Sequence, residues 1–512
     1  MTQHSTARGP APVVTADQAA QTIRDGATVA SDGFTMMGVA DELLAAIERR
    51  FLATGRPSGL TWVHAAGQSN GTDGLARLAH GGLLRRVVGP HWGLNPPMAR
   101  LLGTSQVEAV CLPQGQLATL YRTIAARRPG QLSTVGLGTF VDPRLDGGRV
   151  NDAARSALAA DHYVERAEVG GQEYLLYKAF PLDAAIIRAD VVDRAGNLGQ
   201  EDEPAKLDAL ALAQAARNSG GRVIAQVRSL TPDSDLPARQ VAVPSALVDQ
   251  VVLVSDPGSH HRPSDGFAPG DQALVTGRVS AAEVAAKLSL GGDRSARAAI
   301  GLRGARLVRP GDVINLGTGI PGDTVPAALA SCGLLDQVHV TVESGVWGGI
   351  ALGGVDFGCA LHPEAIIPHA QQFDYYNGGG VDIAFMGVGQ VDAGGDVNVS
   401  AFDGRVIGCG GFMDIVDGAS RVCFLMSADS KHPKAVERVD HLTFSGAAAL
   451  KKGHEVFLAA EHFTLRLSTT GWEVVDCDDT ATARVALGRT SCLTPTGATL
   501  LNNPPIQELD HA

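Results

Sequence analysis

The chain has 512 residues and a formal net charge of -12 at pH 7. Its length predicts two or three domains, and its acidity argues against nonspecific nucleic-acid binding, which draws on clustered Lys and Arg. The sequence has no apolar run of the ~18 residues that a membrane helix needs. Seven scattered cysteines without a C-x-x-C pair are typical of reduced thiols. We therefore expect a cytoplasmic globular protein that binds neither nucleic acid nor a membrane.

Local signals from residue 15 onward alternate between helix and strand. Thr15 and Gln18 match a capping box at a helix start, with Gly26 as the expected stop, and Ser280 and Glu283 match a second box. The segments ATVASDG (27–33), RVIAQV (222–227) and GDVINLG (311–317) predict short buried strands. In DELLAAIERRF (41–51) the apolar side chains share one helical face. This alternation predicts an α/β fold with mostly parallel sheets flanked by helices, and such sheets bind ligands at the carboxyl ends of their strands.

The sequence echoes itself twice, in the same order. IRDGATVASDG (23–33) resembles VRPGDVINLG (308–317), and LDAAIIRADVVDRAGNL (182–198) resembles VDIAFMGVGQVDAGGDV (381–397). The longer echo aligns Asp183 with Asp382, and it aligns Asp193 with Asp392 at what we interpret as glycine-containing turns. Two echoes in one order favour a duplication and predict two related domains.

A segment rich in Pro, Gly and Ser, SDPGSHHRPSDGFAPGD (255–271), separates the two copies. We predict a flexible leader at 1–14, an N-terminal domain at 15–255, a linker at 256–277, a C-terminal domain at 278–490 and a tail at 491–512. His260 and His261 fall in the linker and are interpreted as solvated loop residues. No metal-ligand spacing is evident, so no metal site is predicted.

One glutamate stands out at the end of an alternating apolar run. In VHVTVE (338–343) valines alternate with other residues, which predicts a strand that ends at Glu343, and glycines follow at once in SGVWGGI. A carboxylate at a strand end can form a turn or a salt bridge, or it can react. No Lys or Arg occurs between residues 310 and 404, so the sequence offers no local cation to neutralise it. Such a carboxylate can act as a nucleophile or base.

The run from ESGVWGGI at 343 to GCGGFMDIV at 416 resembles the C-terminal half of the family I coenzyme A transferases. It is most similar to the fused acetate/propionate type and more distantly to the succinyl-CoA:3-oxoacid type. The segments GFTMMGVADELLAAI, LPQG, GLGTFVDPRLDGGRVN and FPLDAAIIRADVVDRAGNL fall in family order in the N-terminal half. The resemblance covers about residues 15–470 and implies that family's fused two-domain fold.

The resemblance also implies roles for particular residues. Glu343 matches the family nucleophile, and Gln114 matches the glutamine of the oxyanion hole. A backbone N–H of the GCGG run is the second donor, with Gly410 favoured and Gly408 or Gly411 possible. The turns SDGFTMMG (31–38) and LGTGIPG (316–322) resemble glycine loops that line the coenzyme A channel. The glycines expected to bind coenzyme A come from these turns, from the segment after Glu343 and from the GCGG run: Gly33, Gly38, Gly317, Gly319, Gly345 and Gly411.

The implied reaction is transfer of coenzyme A from an acyl-CoA to a short- or medium-chain carboxylic acid. It would proceed by a ping-pong scheme through a glutamyl-CoA thioester, with coenzyme A as substrate and covalent intermediate and with no permanently bound cofactor. The resemblance further implies a homodimer or homotetramer and a place in short-chain fatty acid or 3-oxoacid metabolism.

Two other functions remain open at this point. An acyl-CoA hydrolase on the same scaffold would differ only in admitting water, and a noncatalytic CoA-binding protein would lack turnover altogether. Two residues also keep alternative readings. Cys409 lies inside the GCGG run, where a buried filler is favoured over a catalytic thiol, and Trp347 can serve either the acyl pocket or the core.

Overall fold

The computed structural model describes residues 10–231, 233–279, 296–402, 404–428, 434–478 and 493. It contains two large sheets with helices packed against them, as the α/β prediction requires. We call residues 13–253, which form the first sheet, the first half, and residues 313–477, which form the second sheet, the second half. The predicted capping box at Ser280 and Glu283 and nearly all of the predicted tail lie outside the described residues.

The first sheet has ten strands. Eight form its main path, in spatial order Val13–Val14, Gln250–Leu253, Arg222–Thr231, Ala184–Asp193, Thr28–Ser31, Leu60–His64, Leu84–Gly89 and Glu108–Cys111, all paired in parallel. Leu198–Gly199 and Val241–Val243 attach antiparallel at the side.

The second sheet has nine strands. Their spatial order is Ala365–Ile366, Val346–Trp347, His339–Thr341, Val313–Leu316, Ile383–Gly387, Arg421–Leu425, Glu455–Ala459, Phe463–Ser468 and Gly471–Cys477. The five strands from His339–Thr341 to Glu455–Ala459 run parallel, and both edges are antiparallel.

Smaller sheets are attached to both halves. Gly130–Ser133, Gln172–Lys178 and Val164–Val169 form a three-stranded antiparallel sheet that has no counterpart among the described strands of the second half. Two-stranded pairs join Ile350–Ala351 to Ala360–Leu361, Gln390–Val391 to Val397–Asn398, and Ala401–Phe402 to Arg405–Val406.

The helices of the first half include Ala16–Ala20, Asp41–Thr54, Pro96–Gly103, Gln114–Ala125, Asp152–Ala157, Ala209–Asn218 and the 3₁₀ turns Gly74–Leu78 and Ser245–Leu247. Pro257–His260 and Gln272–Val275 follow it. The remaining described helices are Ala296–Ala305, Ile320–Ser331, His369–Asn377, Phe412–Gly418, Gly446–Lys452 and the 3₁₀ turns Leu335–Gln337 and Gly354–Asp356. None of the helices in the described ranges is long and apolar enough to span a bilayer.

Two predicted helices show how local sequence sets their ends. The capping box at Thr15 and Gln18 is present, but the helix stops at Ala20, well before Gly26, because a turn intervenes. Asp41–Thr54 buries the predicted apolar face and ends on a glycine, Gly55, whose φ of 70° is the left-handed conformation that favours this residue.

The two sequence echoes mark equivalent positions in the two sheets. Asp183 accepts a hydrogen bond from the backbone N–H of Thr28 at 2.8 Å, and Asp382 accepts one from Val313 at 2.8 Å. Five parallel strands follow the same spatial order in both halves around these contacts. The later turns agree as well, since the N–H groups of Gly196 and Gly395 donate to the carbonyls of Asp193 and Asp392. The halves therefore share one strand frame.

The structure corrects the ends of the predicted segments. Val13 and Val14, which we assigned to the flexible leader, pair with Val251 and Val252 at the sheet edge. The predicted linker contains two short helices and contacts both halves. In particular, His261 is buried rather than solvated, with 2% of its surface exposed, and lies beside Glu203.

Candidate active site

Glu343 lies in a tight turn at the carboxyl end of the second sheet. The strand itself ends at Thr341, two residues earlier than the alternation predicts, because the chain folds back: the N–H of Val342 donates to the carbonyl of Val346, and that of Gly345 to Val342. The returning strand pairs Trp347 with Thr341. The turn points Glu343 toward the first half, and only 8% of the residue is exposed.

Burial dominates the electrostatics of Glu343. Removal from water raises its pKa to about 7, an effect to which the nearby acid Asp414 adds. The imidazole of His369 and hydrogen bonds from the Gln114 side chain and the Gly411 backbone act in the opposite direction, because they stabilise the carboxylate. At neutral pH a large fraction of Glu343 is thus an ionised carboxylate with little hydration, which is the reactive state of a nucleophile.

Gln114 comes to this site from the first half. It is the first residue of the helix Gln114–Ala125, which follows the edge strand Glu108–Cys111. Its backbone N–H donates to the carbonyl of Gly410 at 3.0 Å, which ties the two halves together. Its side chain is buried and hydrogen-bonds to Glu343. The structure therefore brings Gln114 and Glu343 together from opposite halves.

The GCGG run supplies a backbone donor, and the geometry favours Gly411 over Gly410. The N–H of Gly410 is already donated to the carbonyl of Pro90, and that of Gly408 to the carbonyl of Ser400. The N–H of Gly411 instead hydrogen-bonds to the Glu343 carboxylate. A Cβ at Gly411 would stand 2.8 Å from Glu343 Oε2, so the close approach requires a glycine.

Asp414 fixes the helix that carries Gln114. Its carboxylate accepts hydrogen bonds from the N–H of Gly115 at 2.9 Å and from Nε2 of Gln116 at 2.8 Å. Asp414 itself lies in the helix Phe412–Gly418, directly after the GCGG run. Both donor segments of the site are thus held against each other by one buried acid.

Sequence reasoning missed a basic side chain beside Glu343, that of His369. We expected no local cation because Lys and Arg are absent from this stretch, yet His369 lies within it and lowers the pKa of Glu343. His369 Nδ1 lies 2.9 Å from Asp208 Oδ2, and its Nε2 lies 3.1 Å from Gln114 Nε2. The only sequence signal was that His369 lies inside the run that carries the family resemblance; Asp208 had none.

The glycines predicted to line a coenzyme A channel fall in two groups. At Gly33, Gly38 and Gly345 an added Cβ would come within 2.8 Å of protein atoms, so these glycines permit close packing of the turns. At Gly319 an added Cβ would meet nothing within 4 Å, and at Gly317 the nearest atom is a backbone oxygen at 3.1 Å. Both of the latter follow the strand Val313–Leu316, next to the strand that leads to Glu343.

The turn at 33–38 also reaches the site. The ring of Phe34 lies 6.1 Å from the imidazole of His369 and 5.9 Å from Phe357, centroid to centroid. Ser344, next to the glutamate, donates a 2.5 Å hydrogen bond to the carbonyl of Gly358 in that same neighbourhood. The turn is thus packed beside the catalytic candidates, in contact with the second half.

Cys409 and Trp347 take positions that fit packing. Cys409 is buried with its Sγ 3.7 Å from Cys111 Sγ, and burial raises the pKa of its thiol well above the ordinary range, which disfavours a reactive thiolate. Trp347 is half buried, donates to Gln372 Oε1 at 2.6 Å and packs against the ring of Tyr375. Whether it also borders an acyl group stays a prediction.

One buried cluster outside the site has the residue types of metal ligands: Asp190, Glu203 and His261. Arg188 donates to both carboxylate oxygens of Glu203, and Arg228 lies 3.9 Å from Asp190. Arg228 also pairs with Asp202, so we interpret the cluster as part of an ion-pair network.

Comparisons with known proteins agree with this architecture. The family model described as Coenzyme A transferase matches residues 13–253. The caffeate CoA-transferase of Acetobacterium woodii is 34% identical over 488 residues, covering 90% of each chain. The acetate CoA-transferase YdiF of Escherichia coli (strain K12) is 33% identical over 491 residues, covering 91% of this chain and 89% of the relative.

Solved structures give the same result. The acyl-CoA transferase YdiF apoenzyme from Escherichia coli O157:H7 superposes with a TM-score of 0.82 at 29% identity, covering 93% of this chain and 92% of that one. A crystal structure of YdiF described as a thioester complex with CoA gives a TM-score of 0.81 at 30% identity, with coverage of 92% and 91%.

The two-sheet fold, with a buried carboxylate where the halves meet, defines an α/β enzyme of the group-transfer class. The chain belongs to the Coenzyme A transferase family. It is a CoA-transferase.

Proposed function

We propose that this enzyme moves coenzyme A from an acyl-CoA to a short- or medium-chain carboxylic acid by a ping-pong reaction through a glutamyl-CoA thioester on Glu343. The observation that carries the proposal is the buried Glu343 carboxylate, which accepts hydrogen bonds from Gln114 and Gly411. The YdiF structure described as a thioester complex with CoA supports a covalent intermediate by similarity.

The steps follow from what a carboxylate can do to a thioester. Glu343 attacks the acyl carbonyl and expels CoA thiolate, which leaves an acyl-glutamyl anhydride. The thiolate then attacks the glutamyl carbonyl, which forms the glutamyl-CoA thioester and releases the first acid as a carboxylate. The second carboxylate repeats these steps in reverse and leaves with CoA. No oxidant, metal or water enters the balance.

Each attack creates a tetrahedral oxyanion that needs fixed donors. We assign this role to the side-chain N–H₂ of Gln114 and the backbone N–H of Gly411, because both lower the pKa of Glu343 as hydrogen-bond donors to its carboxylate. A single such donor is typically worth about 10²–10³ in rate. The burial of Glu343 also supports transfer over hydrolysis, since water has little access to the anhydride or the thioester.

The remaining parts of the proposal concern binding and assembly. We assign Gly317 and Gly319, with the turn at 33–38, to the coenzyme A channel, because they lie at or beside the carboxyl ends of the central strands. The chain would act as two fused domains, at about 15–255 and 278–490. We expect a cytoplasmic homodimer or homotetramer, which light scattering coupled to size-exclusion chromatography would distinguish.

The test is intact-protein mass spectrometry after mixing the enzyme with acetyl-CoA and no acceptor acid. We expect a mass gain of one CoA less one water. Borohydride should reduce the thioester, and the reduced residue, located by peptide mapping, should be Glu343. Glu343→Gln should abolish the mass gain. Glu364→Gln is the matched control, because Glu364 is an exposed acid on the same segment.

Acyl-CoAs of longer and branched chains extend the test if acetyl-CoA gives no adduct. An adduct with any of them, discharged by an added carboxylic acid, supports the proposal. Release of free acid and CoA at the same rate with and without an acceptor would instead mean hydrolysis. Binding of CoA without an adduct from any acyl-CoA would overturn the covalent mechanism.

A further inference from the structure

A chain of buried polar contacts runs from Glu343 into the first half. Gln114 hydrogen-bonds to Glu343 and touches His369, whose other ring nitrogen contacts Asp208. The backbone N–H of Asp208 in turn donates to Asp32 Oδ1 at 2.9 Å. Every side chain along this path is buried. Of these groups, the proposed mechanism uses only the first two.

The contacts determine which atoms carry protons. A carboxylate accepts hydrogen bonds, so Nδ1 of His369 carries a proton and donates a hydrogen bond to Asp208. In the neutral ring Nε2 then has a lone pair, and it accepts from the amide nitrogen of Gln114 at 3.1 Å. This leaves the second amide N–H of Gln114 for the Glu343 carboxylate. The imidazole therefore decides how the amide is oriented.

His369 is itself held in place from several sides. It begins the helix His369–Asn377, and its backbone N–H donates to the carbonyl of Lys206 at 2.8 Å. The rings of Phe34 and Phe373 meet the imidazole edge-on at 87° and 77°. Because the ring cannot rotate freely within this packing, its two hydrogen bonds keep a fixed direction.

We propose that His369, anchored by Asp208, is a positioning residue for the transfer reaction: its neutral ring accepts from the Gln114 amide and so directs the other amide N–H at Glu343. This inference rests on the proposed function of Glu343 and Gln114. It adds two residues to the site, His369 from the second half and Asp208 from the first. Neither takes part in the bond-forming steps of the proposed reaction.

The titratable groups around His369 determine how readily its ring is protonated. Asp208, Asp32 and Glu343 raise its pKa, against the lowering effect of burial. Asp414 bears on Glu343 from the other side, and the hydroxyl of Tyr121 lies near Asp208 and Asp32. Protonation of Nε2 would remove the lone pair that accepts from Gln114, so loading in the parent should require deprotonation of His369 as well as of Glu343.

The experiment measures the single-turnover rate of CoA loading onto Glu343 against pH, by quenched-flow mass spectrometry. In the unaltered enzyme the rate should rise with pH through about 7. His369→Phe should lower the plateau about tenfold to hundredfold, less than the 10²–10³ expected for loss of a direct donor, and make the pH profile shallower because only Glu343 then titrates. KM for acyl-CoA should change little, because His369 does not touch the substrate.

Two variants separate the parts of the effect. His369→Gln keeps an acceptor for the Gln114 amide but cannot be protonated in this range, so it should restore part of the plateau and keep the shallower pH profile. Asp208→Asn keeps the hydrogen bond to Nδ1 but removes the charge that favours imidazolium, so it should lower the midpoint and keep the steeper profile. His339→Phe and His339→Gln are the controls, since His339 is exposed on the strand that leads to Glu343.

The outcomes distinguish this inference from the function beneath it. If the enzyme loads CoA but the His369 and Asp208 variants keep the pH profile of the parent, the positioning role is overturned, whether or not their rates fall, and the transferase mechanism stands. If His369→Phe does not fold, His369→Gln and Asp208→Asn decide in the same way. If no acyl-CoA loads Glu343 at all, both proposals fail.

Discussion

The two halves share a strand frame, and the same position in that frame holds alanine in one and glutamate in the other. Thr61 lies opposite Thr28 in the first sheet, and His339 lies opposite Val313 in the second. Four residues further along, these strands lead to Ala65 and Glu343, and two residues later to Gly67 and Gly345. The duplicated backbone therefore carries the proposed nucleophile on one side only.

The neighbourhood of Ala65 shows what the first half does with this position. Nδ1 of His64, the preceding residue, contacts the carbonyl of Ala66 at 2.7 Å, while its Nε2 accepts a 3.1 Å hydrogen bond from Trp92. Burial lowers the pKa of His64 to about 4, so the ring is neutral at physiological pH. Both nitrogens are satisfied within the core, and the corresponding turn serves packing.

This difference indicates that the properties of the buried carboxylate depend on the residues around it and not only on its position in the fold. Glu343 draws Gln114 and, through His369, Asp208 from the first half, and Gly411 from its own half. The first half thus contributes donors to the second without keeping a site of its own at Ala65. Four sets of substitutions test this asymmetry, and they follow in order of decreasing expected effect.

The largest expected effect comes from moving the carboxylate between halves. Glu343→Gln should reduce transfer by roughly 10⁴-fold or more, because it removes the covalent nucleophile. Adding Ala65→Glu to that variant should restore nothing, since Gln114 and Gly411 lie at the other turn. Steady-state exchange between acyl-CoA and acetate measures both, and recovery of activity in the double variant would show that the two positions are equivalent.

Gln114→Ala should lower kcat about 10²–10³-fold with a small change in KM, because it removes one donor to the oxyanion. The variant tests whether the first half takes part in chemistry. Gln371→Ala is the control, because Gln371 is exposed on the helix that begins with His369. An unchanged kcat for Gln114→Ala would mean that Gln114, and with it the first half, does not contribute to the chemical step.

Glu343 should make the enzyme less stable as pH rises, unlike the alanine at 65. Its folded pKa of about 7 exceeds the ordinary value of 4.5, so the folded state binds the proton more tightly and stability falls as pH rises between those values. Glu343→Gln should therefore raise Tm relative to the parent at pH 8 but not at pH 4.5, and the corresponding gain in the free energy of unfolding is roughly 3 kcal/mol at most.

This prediction is checked by differential scanning fluorimetry across that pH range. Asp414 and Asp32 also have pKa values raised to about 7 by burial, so the difference between variant and parent isolates Glu343. Glu364→Gln should shift Tm equally at both pH values. A pH-independent effect of Glu343→Gln would mean that its carboxylate is not the buried acid described here.

The smallest effect should be symmetrical between the halves. Asp183→Ala and Asp382→Ala each remove an acceptor for a strand-start N–H, so each should cost about 1 kcal/mol and lower Tm by about 2 °C. Equal losses measured by thermal unfolding would confirm that these acids do equivalent work. A loss confined to one half would show that the shared frame is stabilised differently on the two sides.

Much of the frame could be predicted from local sequence. The capping box at Thr15, the apolar face of Asp41–Thr54 and the paired aspartates at 183 and 382 each depend on neighbours a few residues away, which a sequence displays directly. The exact end of the strand before Glu343 and the buried state of His261 were missed, since both follow from contacts with distant segments.

The site was predicted where a motif marked it and missed where none did. Glu343 and Gln114 stood in recognisable runs, and the structure brings them together. Gly411 replaced Gly410 as the favoured donor only after the N–H of Gly410 was found to bond Pro90. Asp208 lies 161 positions from its partner His369, and no spacing rule connects them.

The sequence by itself determined the α/β class, the duplicated frame and the family, because periodicity, turn residues and ordered motifs are properties of consecutive residues. Only the tertiary structure decided which glycine faces the carboxylate, that a histidine lies beside it, and that the first half supplies Gln114 and Asp208. Those facts depend on two halves meeting, where burial raises the pKa of Glu343 and leaves each polar group dependent on its nearest partners.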